Sequence, residues 1–203
     1  EFDLYTCKNV ANFSRELNMK EGWLSRSFMA TLPNDITIKV ETKRFLSIDF
    51  DELGAIQYQV TPINSNAEIV FEPYLDAGIT NEDSNWDDKF WNITNLVQEN
   101  NQAFIEAHTM KTNFHTCTYM ESECYINGEK VALKNTSTQS ESKIQHSFTA
   151  KISKGDTFTI HKFGGYIVDR NHNKTSLVSI AKSLLFKARE LGFDELLELQ
   201  KKS

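Results

Sequence analysis

Between Ile36 and Phe50 the chain alternates in nearly every step. The even positions are Ile36, Ile38, Val40, Thr42, Arg44, Leu46, Ile48 and Phe50, and the odd ones are Thr, Lys, Glu, Ser and Asp except for Phe45. Side chains of an extended backbone point alternately to two faces, so this period demands a β-strand with one face in and one face out. The run is longer than the usual ~5–6 residues, which predicts one long bent strand or a bulge near Thr42–Lys43. A turn at Asp51-Glu52-Leu53-Gly54 follows, and alternation resumes at Ile56, Tyr58 and Val60 up to Pro62. Asn64-Ser65-Asn66 is the next turn, and Glu68–Leu75 reads as the next strand.

The same grammar continues downstream. Phe104–Met110 and Phe114–Ile126 are rich in β-branched and aromatic residues. Asn127-Gly128 stands between apolar flanks, the strongest short hairpin signal, because both residues tolerate positive φ. Asn135–Ser142 reads as loop or edge, and Ser153–Asp156 as a turn between Phe148–Ile152 and Thr157–His161. About ten strands joined by short turns predict a mainly β protein, a large antiparallel sandwich rather than a βαβ fold. Only the tail changes period. Leu177, Ile180, Ala181, Leu184, Leu185, Ala188 and Leu191 form one helical stripe, with Thr175 or Ser176 as N-cap and Gly192 just past the C-terminus. A second amphipathic stretch opens at Asp194-Glu195. The division expected is a sandwich over 1–172, lacking its first strands, and a C-terminal amphipathic helix over 173–203. That stripe needs a partner, on the sandwich or in a further domain.

Several function classes are excluded. A net charge of −6 argues against a binder of nucleic-acid phosphates. No apolar run approaches the ~18 residues of a membrane span and no signal peptide is evident, so a cytoplasmic location is expected. Cys7, Cys117 and Cys124 are an odd number without CxxC spacing, and are expected as buried thiols in a reducing compartment. The five histidines form no HxH or HExxH pair, and no P-loop, GxGxxG or GxSxG occurs, so no metal and no cofactor is expected. Met19, Met29 and Met110 read as core filler. Gly164-Gly165 reads as a bulge or a close backbone contact.

The stretch Tyr74–Trp86, closed by Phe90-Trp91, is the candidate site. It carries a dense polar and acidic segment into an aromatic pair. Asn81, Asp83 and Asn85 can bond nearby backbone and hold a loop's shape, and Trp86, Phe90 and Trp91 can anchor a domain contact or lie near a sugar. The rival placement has Phe90 and Trp91 simply beginning the next strand. Glu82, Asp83, Asp87 and Asp88 lack the alternating register of a calcium loop. Trp23 and Trp86 could stack on a pyranose or be buried.

Four stretches together resemble the N-terminal domain of glycoside hydrolase family 65. They are Arg15-Glu16-Leu17-Asn18-Met19-Lys20-Glu21-Gly22 followed by Arg26 and Phe28, then Lys43–Ser47, Asp76–Trp91, and Ala188–Asp194. The resemblance implies a β-supersandwich and the start of a helical linker toward an (α/α)6 barrel that carries the catalytic glutamate. It implies disaccharide and inorganic phosphate as substrates of a larger enzyme, a phosphorylase or a hydrolase, with the barrel and a second subunit as partners. No catalytic residue of the family maps onto this chain. A free-standing carbohydrate-binding or protein-interaction sandwich is the alternative.

Overall fold

The computed structural model describes residues 2–80 and 89–202. Among them are thirteen strands and one long helix. The strands are β1 Asn9–Asn18, β2 Trp23–Thr31, β3 Thr37–Leu46, β4 Gly54–Pro62, β5 Ala67–Phe71, β6 Tyr74–Asp76, β7 Trp91–Glu99, β8 Gln102–Thr109, β9 His115–Ile126, β10 Glu129–Val131, β11 Thr136–Gln139, β12 Lys143–Ile152 and β13 Phe158–Val168; α1 spans Leu177–Lys202. The large sheet runs β1-β2-β3-β4-β13-β9-β8-β7, with β10 hairpinned onto β9. The small sheet is built on β12, with β11 along one edge and β5 and β6 pairing its two halves. All pairings are antiparallel, as expected for a β-supersandwich with short connections.

The expected turns are present, with one change of role. Asn127 and Gly128 take φ of 51° and 84° and close the β9–β10 hairpin in two residues. The Ser153–Asp156 turn does not make a hairpin: β12 lies in the small sheet and β13 in the large one, so this turn steps between layers. It is pinned by Gly155 N–H donating to Pro62 O and Lys154 N–H donating to Asn66 Oδ1. The strand expected over Glu68–Leu75 is two strands, because Pro73 cannot donate to the ladder and its carbonyl instead accepts from His146 N–H.

Strand β3 corrects the one-face reading. It pairs with β2 and β4 without a register shift, so no bulge sits at Thr42–Lys43. Its faces are covered at opposite ends. Ile38 and Val40 pack beneath the small sheet with Phe28, Ala30, Val60 and Phe71. Phe45, on the other face, packs with Leu53, Ala55 and the helix. The even-numbered Leu46 is therefore 77% exposed. Alternation reports two faces but not which stretch of each is covered.

The helix lies on the sheet. Leu177, Ala181, Leu185, Ala188, Phe193, Leu196 and Leu197 share one core with Phe104, Cys117, Tyr119, Phe163 and Ile167. Asn173, rather than Thr175 or Ser176, caps the 3-10 turn Lys174–Ser176 that leads in; its side chain accepts from Thr175 N–H at 3.0 Å. Gly192, at φ 75° and ψ 173°, breaks the helix into two segments, because only glycine enters that region at low cost. The second segment is locked by Gln200, whose Oε1 accepts from Ile48 N–H at 2.9 Å.

Two expectations fail and one holds in part. Met19 is 86% exposed and Met110 half exposed, so neither fills the core; Met120 does. Cys117 and Cys124 are buried, Cys7 is partly exposed, and all three are free. Burial pushes the Cys117 and Cys124 thiols up to about 12, which leaves them unreactive.

Replacing Leu185 with Ala should cost about 2–5 kcal/mol through lost burial and a residual cavity. Its neighbour Phe186 is 54% exposed, and Phe186→Ala should stay within about 0.5 kcal/mol. Urea unfolding of both variants checks which face of α1 is the buried one.

Candidate functional site

The two faces of the large sheet are treated differently. The helix face is closed by α1; the small-sheet face is covered only in part. Where the small sheet ends, an open groove follows its rim across the large sheet. Three concavities make up this groove. One of ≈260 Å³ lies over β1–β4, lined by Arg15, Arg26, Arg44, Thr42 and Tyr58 together with Leu24 and Ile56. One of ≈580 Å³ shares Leu24, Arg44 and Ile56 with it and continues past Leu17, Leu46, Lys162 and Tyr166. The third, ≈560 Å³, shares Leu75, Thr118 and Tyr166 with the second and ends on Phe90, Trp91 and Phe114.

Strand register explains why these residues meet. Arg15 stands opposite Arg26, Arg26 opposite Thr42, and Thr42 opposite Tyr58. One pair along, Leu17, Leu24, Arg44, Ile56 and Lys162 face one another in turn. Directly opposed residues of antiparallel strands point to the same face, so these two rows share one surface. Gly164 and Gly165 line the middle of the groove and are required by close backbone packing: a Cβ on Gly164 would strike the Tyr119 carbonyl, and one on Gly165 would strike the Glu52 carbonyl. This is the close backbone contact expected at that pair, and no bulge accompanies it.

The expected site residues divide. Trp91 opens β7 opposite Thr109 and is 38% exposed; Phe90 precedes it, 41% exposed, with its carbonyl accepting from Met110 N–H. Both line the aromatic end of the groove. Asn81, Asp83, Asn85 and Trp86 lie outside the described residues. Trp23 is half-buried against the helix core, its indole N–H donating to Glu21 and Lys43 lying 4.7 Å over its ring.

Lys162 sits at the groove's floor. Its Nζ donates to Tyr74 O at 2.8 Å, and burial pulls its pKa down to about 8. Tyr74 also stacks beneath Lys143, 4.2 Å away. This cationic row was not expected. Arg15 and Arg26 belong to one of the family-like stretches and Arg44 to another, but only strand register puts them side by side.

The helix face hides a second polar group that spacing along β9 did not single out. Glu121 and Glu123 are both nearly fully buried there. Glu121 accepts from Gln102 Nε2 at 2.7 Å and pairs with Arg189 of α1 at 3.4 Å; Glu123 accepts from Tyr125 Oη at 2.8 Å and pairs with Lys130 at 2.5 Å. Opposite Glu123 stands His161, whose ring lies against Tyr125 and Phe193 and whose Nε2 meets Gln57 at 3.0 Å. With both carboxylates engaged, Glu121 tying the helix to the sheet and Glu123 tying β10 to β9, they are not an acid–base pair free for chemistry. Among the described residues, no cluster of three or more His, Cys, Asp or Glu could hold a metal ion, and no helix is long and apolar enough to cross a membrane.

A partly open β-supersandwich with its helix folded back as a brace is the class of protein that this architecture defines. Residues 1–203 match the N-terminal domain of glycosyl hydrolase family 65, and the chain belongs to that family. It is 30% identical over 185 residues to a maltose phosphorylase of Bacillus subtilis (strain 168), spanning 90% of this chain and 24% of that protein. It is 26% identical over 202 residues to an alpha,alpha-trehalose phosphorylase of Thermoanaerobacter brockii, spanning 96% of this chain and 26% of that one. In three dimensions it matches a protein from human microbiome assigned as a kojibiose phosphorylase, with TM-score 0.84 at 20% identity over 99% of this chain and 25% of the other; this likeness bears on the fold. The chain thus spans about a quarter of the length of each of these relatives.

Stability should fall as pH drops from about 6.5 to about 4. Burial lowers the His161 pKa from 6.5 to about 4, against the opposing pull of Asp194 and Glu123, and burial lowers that of His146 as well. The unfolded chain then binds more protons than the folded one across this window, so stability rises with pH through it and is fully present above about 6.5. The His161 contribution is at most about 3 kcal/mol. His161→Gln should flatten the slope of unfolding free energy between pH 4 and 6.5, measured by urea titration.

Proposed function

We propose that this chain is a non-catalytic N-terminal domain of a longer cytoplasmic enzyme that cleaves an α-glucosidic disaccharide with inorganic phosphate. Family membership and the two phosphorylase relatives support the reading. The observation that carries the domain's own role is the open groove. Leu17, Leu46, Ile56, Tyr166, Phe90 and Trp91 are all large, apolar and solvent-exposed along it or at its end. A contiguous apolar surface of this kind marks a docking face, and aromatic anchors held on rigid strands lose little entropy when they dock.

In this reading residues 1–172 form the docking sandwich. Residues 173–203 both brace it and lead toward a helical catalytic barrel. The barrel covers the groove, and the connection through Asn81, Asp83, Asn85 and Trp86 belongs to the same contact. A second subunit is the other candidate to share it. The barrel supplies the carboxylic acid that protonates the glycosidic oxygen while phosphate attacks the anomeric carbon. Here Glu121 and Glu123 are spent on ion pairs and supply no such group.

A second reading, a sugar-binding module, is favoured by the aromatic end alone, where Trp91 and Tyr166 stand beside the hydroxyls of Thr80 and Thr109. Calorimetry with maltose, trehalose and kojibiose separates the two: millimolar or tighter binding by this chain supports a module.

The isolated chain should release neither glucose 1-phosphate nor glucose from these sugars; turnover would sink the non-catalytic reading. In the full-length enzyme, Tyr166→Asp, Trp91→Ala and Trp86→Ala should each lower kcat/KM about tenfold or more, with the isolated domain's thermal unfolding checked in parallel. Unchanged kinetics in all three would reduce the groove to ordinary surface.

A further inference from the structure

We propose that Arg15, Arg26 and Arg44 form a binding site for a phosphate-type oxyanion at the β1–β4 end of the groove. The three guanidinium groups come from three adjacent strands and line one concavity of ≈260 Å³. Arg15 and Arg26 are directly opposed across β1 and β2, and Arg44 lies one pair along β3 from Thr42, the partner of Arg26. Like charges in opposed positions oppose strand pairing. Among the described residues none of the three is paired with a carboxylate, and no carboxylate lines the concavity. The nearest acids in sequence cannot serve. Glu16 and Glu41 point to the other face, and Glu41 is held by Lys39 at 2.8 Å.

The site is also shaped. Arg15 lies over Phe13 at 5.7 Å and Arg26 over Phe28 at 5.4 Å, which fixes two of the three stems. The Arg26 guanidinium lies near the Tyr58 phenol, and the Tyr58 and Thr42 hydroxyls line the same concavity, where both can donate to a ligand. Three planar five-donor forks and two hydroxyls offer more donors than the two oxygens of a carboxylate accept. A tetrahedral dianion, with more acceptor oxygens and twice the charge, matches them better. Leu24 and Ile56 form an apolar wall beside the cations, leaving room for a small group esterified to the phosphate. The occupant is inorganic phosphate or a compact phosphate monoester. This inference stands on the arginines alone and does not rest on the docking reading.

Calorimetric titration of the 203-residue chain at fixed ionic strength tests it, with inorganic phosphate and glucose 6-phosphate as probes. Saturable binding of phosphate in roughly the millimolar range is expected. Arg26→Gln and Arg44→Gln should each weaken it at least tenfold. Lys8→Gln, which removes a cation paired with Asp35 elsewhere, should leave it unchanged. Tighter binding of the hexose phosphate supports a monoester as occupant; equal or weaker binding supports the free anion. Arg44 is exposed, so its variant should fold, and an unchanged thermal midpoint without phosphate verifies this. Phosphate should raise the midpoint of the wild-type chain and not that of Arg44→Gln. No saturable binding, or binding equal in the arginine variants and Lys8→Gln, overturns the proposal.

Discussion

The pairing of β13 with β9 is the constraint on which the rest of the structure depends. Eleven consecutive residue pairs run without a break from Phe158↔Ile126 to Val168↔Thr116. These two strands are the middle of the large sheet, and both of their faces are used. Cys117, Tyr119, Phe163 and Ile167 pack beneath the helix, while Met120, Cys124, Phe158 and Ile160 pack beneath the small sheet. A strand buried on both faces gains roughly twice the apolar burial per residue of an edge strand. The hairpin before β4 is drawn onto the same pair: Tyr119 Oη donates to Glu52 O at 2.7 Å, and the Glu52 side chain meets His172 at 2.9 Å just before the helix. Gly165 is required where that hairpin presses on β13, since any side chain there would occupy the Glu52 carbonyl.

The two coverings differ in kind. The helix closes its face with apolar contacts and then fastens itself with the Glu121–Arg189 ion pair and with Gln200. Such pairs add little net stability, because desolvation offsets their attraction, but breaking one leaves a buried charge uncompensated. That face is committed to holding the domain together. The small sheet is shorter than the sheet it covers. It leaves exposed the rows that carry Arg15, Arg26 and Arg44 at one end and Phe90 and Trp91 at the other. The neighbouring guanidinium groups repel one another and the aromatics meet water, and in the readings proposed above a bound anion and a docked partner relieve these two strains.

Much of the fold was legible in the sequence because it depends on local chemistry. Alternation from Ile36 to Phe50, Asn127-Gly128, the Gly164-Gly165 pair, the Leu177–Leu191 stripe and the stop at Gly192 each follow from backbone geometry at a few residues. They define antiparallel strands, a tight hairpin, a close approach and a broken amphipathic helix without reference to anything distant. Phe90 and Trp91, singled out in the sequence, both line the far end of the groove. The four stretches that resemble the family carried its recognition for the same reason: they are short and contiguous.

What only the tertiary structure decided is which elements cover which. The pattern in β3 shows two faces, but the swap from Val40 inward to Phe45 inward arises because the small sheet and the helix reach opposite ends of the same strand. The Ser153–Asp156 turn has the residues of a hairpin, yet it changes layers because β13 pairs with β9 and β4 instead of β12. Met19 and Met110 are apolar, but sit where no layer covers them. The arginine row and the Glu121–Arg189 bracket join residues up to 68 positions apart, brought together by strand register and by the seating of α1. Sequence determines the direction in which each of these side chains points along its own strand; only the packed sheets determine what stands opposite.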